Sequence, residues 1–173
     1  MMCASGEQPA GENDCDTPQA TLSFLHTWAD GKQRRVPEGY EINESTSVPT
    51  LWLHWCLGSA EEQVGPLRLL EFSDFGPTSI NRNKRKRYSD VKYLMSALEA
   101  EAARQGHDIS RITAKDCTAI FGNIAKNVMP MWMPDGEESW NVNLSTKRRR
   151  SQISWSTATK HLRKSKRRRL GYS

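Results

Sequence analysis

The sequence predicts a mainly α-helical protein: a small helical domain with an acidic, disordered N-terminal head and a basic, helical C-terminal tail. Three observations lead there. Val91, Leu94, Met95, Leu98 and Ala102 recur at intervals of three, four, seven and eleven residues, which is one face of an α-helix. Cys117, Ile120, Phe121, Ile124 and Val128 repeat that spacing. No stretch alternates apolar and polar residues for long, and no pair of β-branched runs flanks a tight turn.

At 173 residues, with 36% hydrophobic and 26% charged residues, the chain suits one modest domain plus tails. Residues 1–17 are small, polar and acidic, and are expected to be disordered. Residues 18–134 are expected to form the helical domain, and residues 135–173 a linker and the basic helical tail. Thr17 and Pro18 offer a cap and a first-turn proline ahead of Ala20, Leu22, Phe24, Leu25 and Trp28, so a short helix is expected from Pro18 to Ala29. Asp30 and Gly31 would end it, and an extended connection would run to Ser47.

Ser47, Val48 and Pro49 restart a helix in which Leu51, Trp52, Trp55 and Cys56 pair at three and four residues, with Gly58 as its stop. Two tryptophans three residues apart are read as a core anchor, because large aromatic rings dominate burial energetics. Leu67, Leu69, Leu70, Phe72 and Phe75 form an apolar cluster that must pack before Gly76 and Pro77 interrupt the chain. The helix of Val91 to Ala102 starts either at a Ser89-Asp90 cap or as early as Asn81. Thr113 and Asp116 form a capping-box-like start to the next helix, with Asp in place of Glu or Gln. A last helix is expected from Ser151 or Ser154 to about Arg168, with Ala158, Leu162 and Ile153 as a narrow apolar face.

Charge is distributed unevenly. Residues 1–80 hold 4 Lys or Arg against 12 Asp or Glu, whereas residues 81–173 hold 21 against 8. The second half therefore calls for a polyanionic partner, and the first half is placed to shield it. The cations fall in runs. Arg82, Lys84, Arg85, Lys86 and Arg87 make one; Lys147, Arg148, Arg149 and Arg150 a second; Lys160, Arg163, Lys164, Lys166, Arg167, Arg168 and Arg169 a third. Nucleic acid, DNA or RNA, is the expected partner, contacted at its phosphates, with Trp155 available either to stack on a base or to bury itself against the domain. The same runs match the short basic pattern read by the nuclear import machinery, so a nuclear location is expected. The alternative is a protein-interaction module whose basic runs serve only as import addresses while its aromatic surfaces hold a protein partner. Arg148 to Arg150 before Ser151, and Lys86 and Arg87 before Ser89, also suit a basophilic kinase, at points where helices are expected to begin.

Other chemistry finds no footing. Phosphate loops, dinucleotide fingerprints and nucleophile elbows are absent, and the four histidines are far apart. The four cysteines include no pair at metal-ligand spacing, and Cys56 and Cys117 are expected as small core residues. No enzyme activity, cofactor, metal or membrane span is expected; the most apolar stretch, Thr50 to Gly58, is short and carries His54.

Arg34, Arg35, Val36 and Pro37, then Trp52, Trp55 and Gly58, then Pro66 to Arg68 and Asn83 to Arg87, form a string that resembles an orphan group of genome-predicted proteins. That group has no assigned activity. The resemblance spans about residues 34 to 100 and implies one domain there, with no chemistry attached.

Overall fold

The computed structural model describes residues 23–129 and 154–169, without the side chains of Arg168 and Arg169. The expectations for the acidic head, for the linker and for Lys147, Arg148, Arg149 and Arg150 lie outside the described residues. Within them the chain is mainly helical, as the periodicity predicts. A two-stranded hairpin (β1, His26–Thr27; β2, Gln33–Arg34) precedes α1 (Val48–Leu57) and two short 3-10 turns (Leu67–Leu69 and Phe72–Phe75). Then come α2 (Thr78–Arg104), α3 (Ala114–Val128) and α4 (Trp155–Arg169). No helix among the described residues is long and apolar enough to cross a membrane.

Helix α1 starts and stops where its sequence dictates. The Ser47 hydroxyl accepts from the Thr50 N–H at 3.3 Å, Pro49 sits in the first turn, and Gly58 donates its N–H back to the His54 carbonyl at 3.0 Å. Gly58 has φ +85, and a Cβ there would lie 2.6 Å from the Val64 carbonyl oxygen, so both backbone angle and space require glycine. The tryptophans are the core anchor expected of them. Trp52 is fully buried and donates its indole N–H to the Cys117 carbonyl of α3 at 3.1 Å; Trp55 is buried and donates to Glu99 of α2 at 3.3 Å. One helix thereby grips the other two, with each indole polar atom satisfied.

Helix α2 follows the earlier of its two expected starts: a first turn from Thr78 ends in a kink at Asn81 (φ −112, ψ 28), and the continuous helix runs on from there. It carries the whole first basic run as helix. Below that run, buried Tyr88 donates its hydroxyl to the carbonyls of Leu70 (2.6 Å) and Leu67 (3.1 Å), and burial pushes its pKa up to about 12. These bonds fasten the basic half of α2 to the 3-10 turns. At the other end, the Glu101 carboxylate accepts from Arg104, Gln105 and Asn127 of α3, which hold its pKa at about 2. Helix α3 is capped as predicted: the Asp116 N–H donates to the Thr113 hydroxyl at 3.2 Å, and that hydroxyl donates to the Asp116 carboxylate at 2.7 Å.

The expected helix over Pro18 to Ala29 is not formed in its described part. Residues 23–28 are not helical, His26 and Thr27 pair with β2, and the hairpin turn runs through Ala29, Asp30 and Gly31, with Gly31 at φ +74. The physical reason is Trp28. Its indole N–H donates to the Val36 carbonyl at 2.9 Å, and the Arg34 guanidinium lies 4.2 Å from its ring centre. A helix through Trp28 would break both contacts. Arg34 also makes a bidentate pair with Asp30. Arg35 grips buried Asp74 through its backbone N–H (3.1 Å) and its guanidinium (2.9 and 2.8 Å), while Asp74 accepts the Glu71 N–H at 2.8 Å and caps the second 3-10 turn. The conspicuous Arg34 to Pro37 string is thus a structural splice between the hairpin and that turn.

Asp74 is where that splice is most exposed to test. Replacing Asp74 with Ala leaves the Arg35 guanidinium and two backbone N–H groups without their shared acceptor, and is expected to lower unfolding free energy by roughly 2–4 kcal/mol in urea titrations. A loss under about 0.5 kcal/mol, the range of an ordinary surface change, would show that the splice carries no stability.

Candidate nucleic-acid interface

Helix α4 is seated by an apolar stripe. Trp155, Ala158 and Leu162 fall three and four residues apart; the first two are buried and Leu162 is packed against the core. The stripe begins on Trp155, which the sequence reading left between two fates, and Ile153 lies outside the described residues. Trp155 is 2% exposed, and its indole N–H donates to the Asn43 carbonyl at 2.7 Å. Its backbone N–H donates to the Thr46 carbonyl at 3.2 Å, and Ser154 bridges to Ser47. The candidate role of Trp155 as a base-stacking residue is therefore corrected: both ring faces are covered by the fold and its one donor is used.

Along its length α4 tracks α2. The Thr159 hydroxyl lies 3.4 Å from the Asp90 carbonyl, Arg163 pairs with the Asp90 carboxylate at 2.6 Å, and Arg163 and Lys166 sit 5.1 and 6.0 Å from the Tyr93 ring centre. These contacts advance together in both sequences, so the two helices run side by side in the same direction. The end of the first basic run (Lys86 and Arg87) and the start of the third (Lys160 and Arg163), far apart in sequence, become neighbours. Between them lies a cleft of ≈ 360 Å³ lined by Asn83, Lys86, Arg87 and Asp90 of α2, by Trp155, Ser156, Thr159, Lys160 and Arg163 of α4, and by Glu44.

The cations of these runs are not equivalent. Arg85 is committed to the fold: its Nε donates to the Phe72 carbonyl at 2.9 Å, it bonds the Thr78 hydroxyl, and its guanidinium lies 5.9 Å from the Phe72 ring centre. Arg87 pairs with Glu41 and, at 2.9 Å, with Glu44. Arg163 is held by Asp90 and Tyr93. Arg82, Lys84, Lys86, Lys160, Lys164 and Arg167 make no ion pair among the described residues. For Arg168 and Arg169 only the helical backbone is described. Among the described residues, acidic side chains of the first half meet the basic runs at Arg87, through Glu41 and Glu44.

Sequence reasoning missed Asn83, Ser156, Thr159 and Asp90 as partners of the cations: Asn83 stands uncharged inside the first basic run, and the other three stand outside the runs. Glu41 and Glu44 carried a weak signal, being acidic residues in an extended connection with no helix to decorate. Ser89 is corrected as a kinase-accessible helix start: it is exposed but lies well inside α2, and Ser151 lies outside the described residues. Cys56 and Cys117 are buried, and the hydrogen bond between them together with burial pushes the Cys56 thiol up, away from nucleophilic use. No group of three His, Cys, Asp or Glu among the described residues could hold a metal ion.

If Trp155 seats α4, its replacement should release that helix and little else. Trp155→Ala is expected to weaken α4 docking by roughly 3–5 kcal/mol. Hydrogen exchange should then speed up in residues 155–169 while amides of α1 and α3 stay protected. Unchanged exchange in α4 would assign its seating to Asp90 and Arg163 instead. Comparison of the chain with protein-family models, curated proteins and solved structures returns no match.

Proposed function

We propose that this protein binds nucleic acid in the nucleus through its phosphate backbone, using the cations that α2 and α4 present on either side of their shared cleft. The observation that supports this is the juxtaposition itself. Two basic runs repel one another, yet a tryptophan-anchored helix places the start of one beside the end of the other, and six of their cations make no ion pair among the described residues. A polyanion relieves that repulsion, and counterion release from nucleic acid rewards each neutralised phosphate. Runs that served only as import addresses would gain nothing from being held side by side. The contact is read as low in sequence information, because lysines act as point charges on phosphates and no recognition helix is identifiable from the sequence. DNA and RNA are both suitable partners, and the basic runs also suit the import machinery.

The test is the salt dependence of binding. With six unpaired cations each meeting a phosphate, log K should fall against log salt with a slope of about −5 on random-sequence duplex DNA. The triple substitution Lys160→Gln, Lys164→Gln, Arg167→Gln should flatten that slope by about 3. A wild-type slope near zero would sink the proposal, and an unchanged slope in the variant would move the contact away from α4.

Glu41 and Glu44 supply a companion prediction. They occupy Arg87 where a phosphate would otherwise sit, so Glu41→Gln with Glu44→Gln should tighten binding roughly threefold at low salt, an advantage that fades as salt rises. Equal affinities at low salt would make these carboxylates bystanders.

A further inference from the structure

The first basic run of α2 lies between two concavities. On one flank is the cleft shared with α4, to which α2 gives Asn83, Lys86, Arg87 and Asp90. On the other is a hollow of ≈ 430 Å³ between the hairpin, the second 3-10 turn and the start of α2, to which α2 gives Thr78 and Arg85. An α-helix turns by about 100° per residue, so Arg85 and Arg87 stand on opposite flanks. Arg82, one turn before Arg85 and Lys86, lies between the flanks, and it is exposed, as are Lys86 and Ser89. Tyr88 and Val91 are buried in the core beneath. The basic half of α2 is therefore a ridge with a concavity on each side.

Each side offers positive charge. In the hollow, Arg34 is matched by Asp30, and Asp74 by Arg35, which also meets Glu71 at 3.5 Å. Lys32 lines the hollow, is exposed and makes no ion pair among the described residues. Arg85 is held by the Phe72 carbonyl and the Thr78 hydroxyl, neither of which offsets its charge. In the cleft, Lys86 and Lys160 make no ion pair among the described residues. Two rows of phosphates can thus be met, separated by the width of a helix with its side chains, about 10–12 Å. A single strand has one row. The major groove of B-form DNA is about 12 Å wide and admits an α-helix, whereas its minor groove, about 6 Å wide, and the deep, narrow major groove of A-form RNA do not.

We infer that the basic half of α2 lies in the major groove of duplex DNA, with one backbone over the α2–α4 cleft at Lys86 and Lys160 and the other over the hollow at Lys32 and Arg85. The inference rests on the nucleic-acid reading above and narrows the partner to B-form duplex. It also adds Lys32, which stands in no basic run, to the contact. The fit is one of width and charge and carries no base preference.

The experiment measures binding of the full chain to four probes of one sequence and length: a DNA duplex, its single strand, an RNA duplex, and the DNA duplex with glucosylated hydroxymethyl groups at C5 of its cytosines, which fill the major groove. The open DNA duplex should bind on the order of tenfold tighter than each of the others, the difference that one row of phosphate contacts makes. Lys32→Gln should flatten the salt slope on the open duplex by about 0.9 and leave single-strand binding unchanged. Lys115→Gln, which removes an exposed lysine of α3 that lines neither concavity, should alter neither. If the filled duplex, the RNA duplex or the single strand bound as tightly as the open duplex, the groove placement would be overturned and the backbone reading would stand. A wild-type slope in the Lys32→Gln variant would remove the second row of contacts and overturn it too. Failure of all four probes to bind would remove both readings.

Discussion

Nothing about the charges of α2 and α4 would bring them together; the burial of Trp155 does. Two like charges about 10 Å apart in water repel by about 0.4 kcal/mol, so a handful of such pairs costs on the order of 2 kcal/mol. Burying a tryptophan removes about 200 Å² from water, worth roughly 5 kcal/mol before the entropy of ordering is subtracted. The apolar term therefore wins, and it acts at one end of α4, with Asp90 on Arg163 adding a second fastening further along. The seat is made of backbone carbonyls, Asn43 and Thr46, so it depends on the course of residues 43–47 more than on their side chains. That course is fixed in turn by Ser47, which both caps α1 and bridges to Ser154. A single short segment thus starts α1, receives α4 and borders the cleft through Glu44.

Much of the helical frame was legible because its signals are local. The cap at Ser47, the stop at Gly58, the cap at Thr113 and the apolar faces of α2 and α3 each need only neighbours in sequence. Where the reading failed, the deciding contact was distant or conditional. Residues 23–29 have a helix-like composition, but Trp28 gains more from the Val36 carbonyl and the Arg34 guanidinium across the hairpin than from helical neighbours. Leu25, which the helical reading would have buried, is 64% exposed. Of the two starts offered for α2, the Ser89-Asp90 cap is not used, and the helix enters at Thr78 after Pro77 with no side-chain cap. The cations of the candidate site were plain from composition. Their grouping was not, since it requires Trp155 to find residues 43–46, more than a hundred positions away.

The arginines and lysines divide the work. The side-chain ion pairs to carboxylates that splice the fold, at Arg34, Arg35, Arg87, Arg104 and Arg163, all use guanidinium groups. Planarity explains the choice: a fork of donors can satisfy a carboxylate and still lie on a ring, as Arg34 does on Trp28 and Arg163 on Tyr93. Of the cations that make no ion pair among the described residues, Lys86 and Lys160 line the cleft, whereas Arg82, Lys84, Lys164 and Arg167 do not. An ammonium on a flexible stem meets a phosphate from many directions and distinguishes bases poorly. The composition of the site fits the proposed use: its arginines, Arg87 and Arg163, are tied to carboxylates of the fold, and its exposed lysines, Lys86 and Lys160, carry the charge that a phosphate would meet.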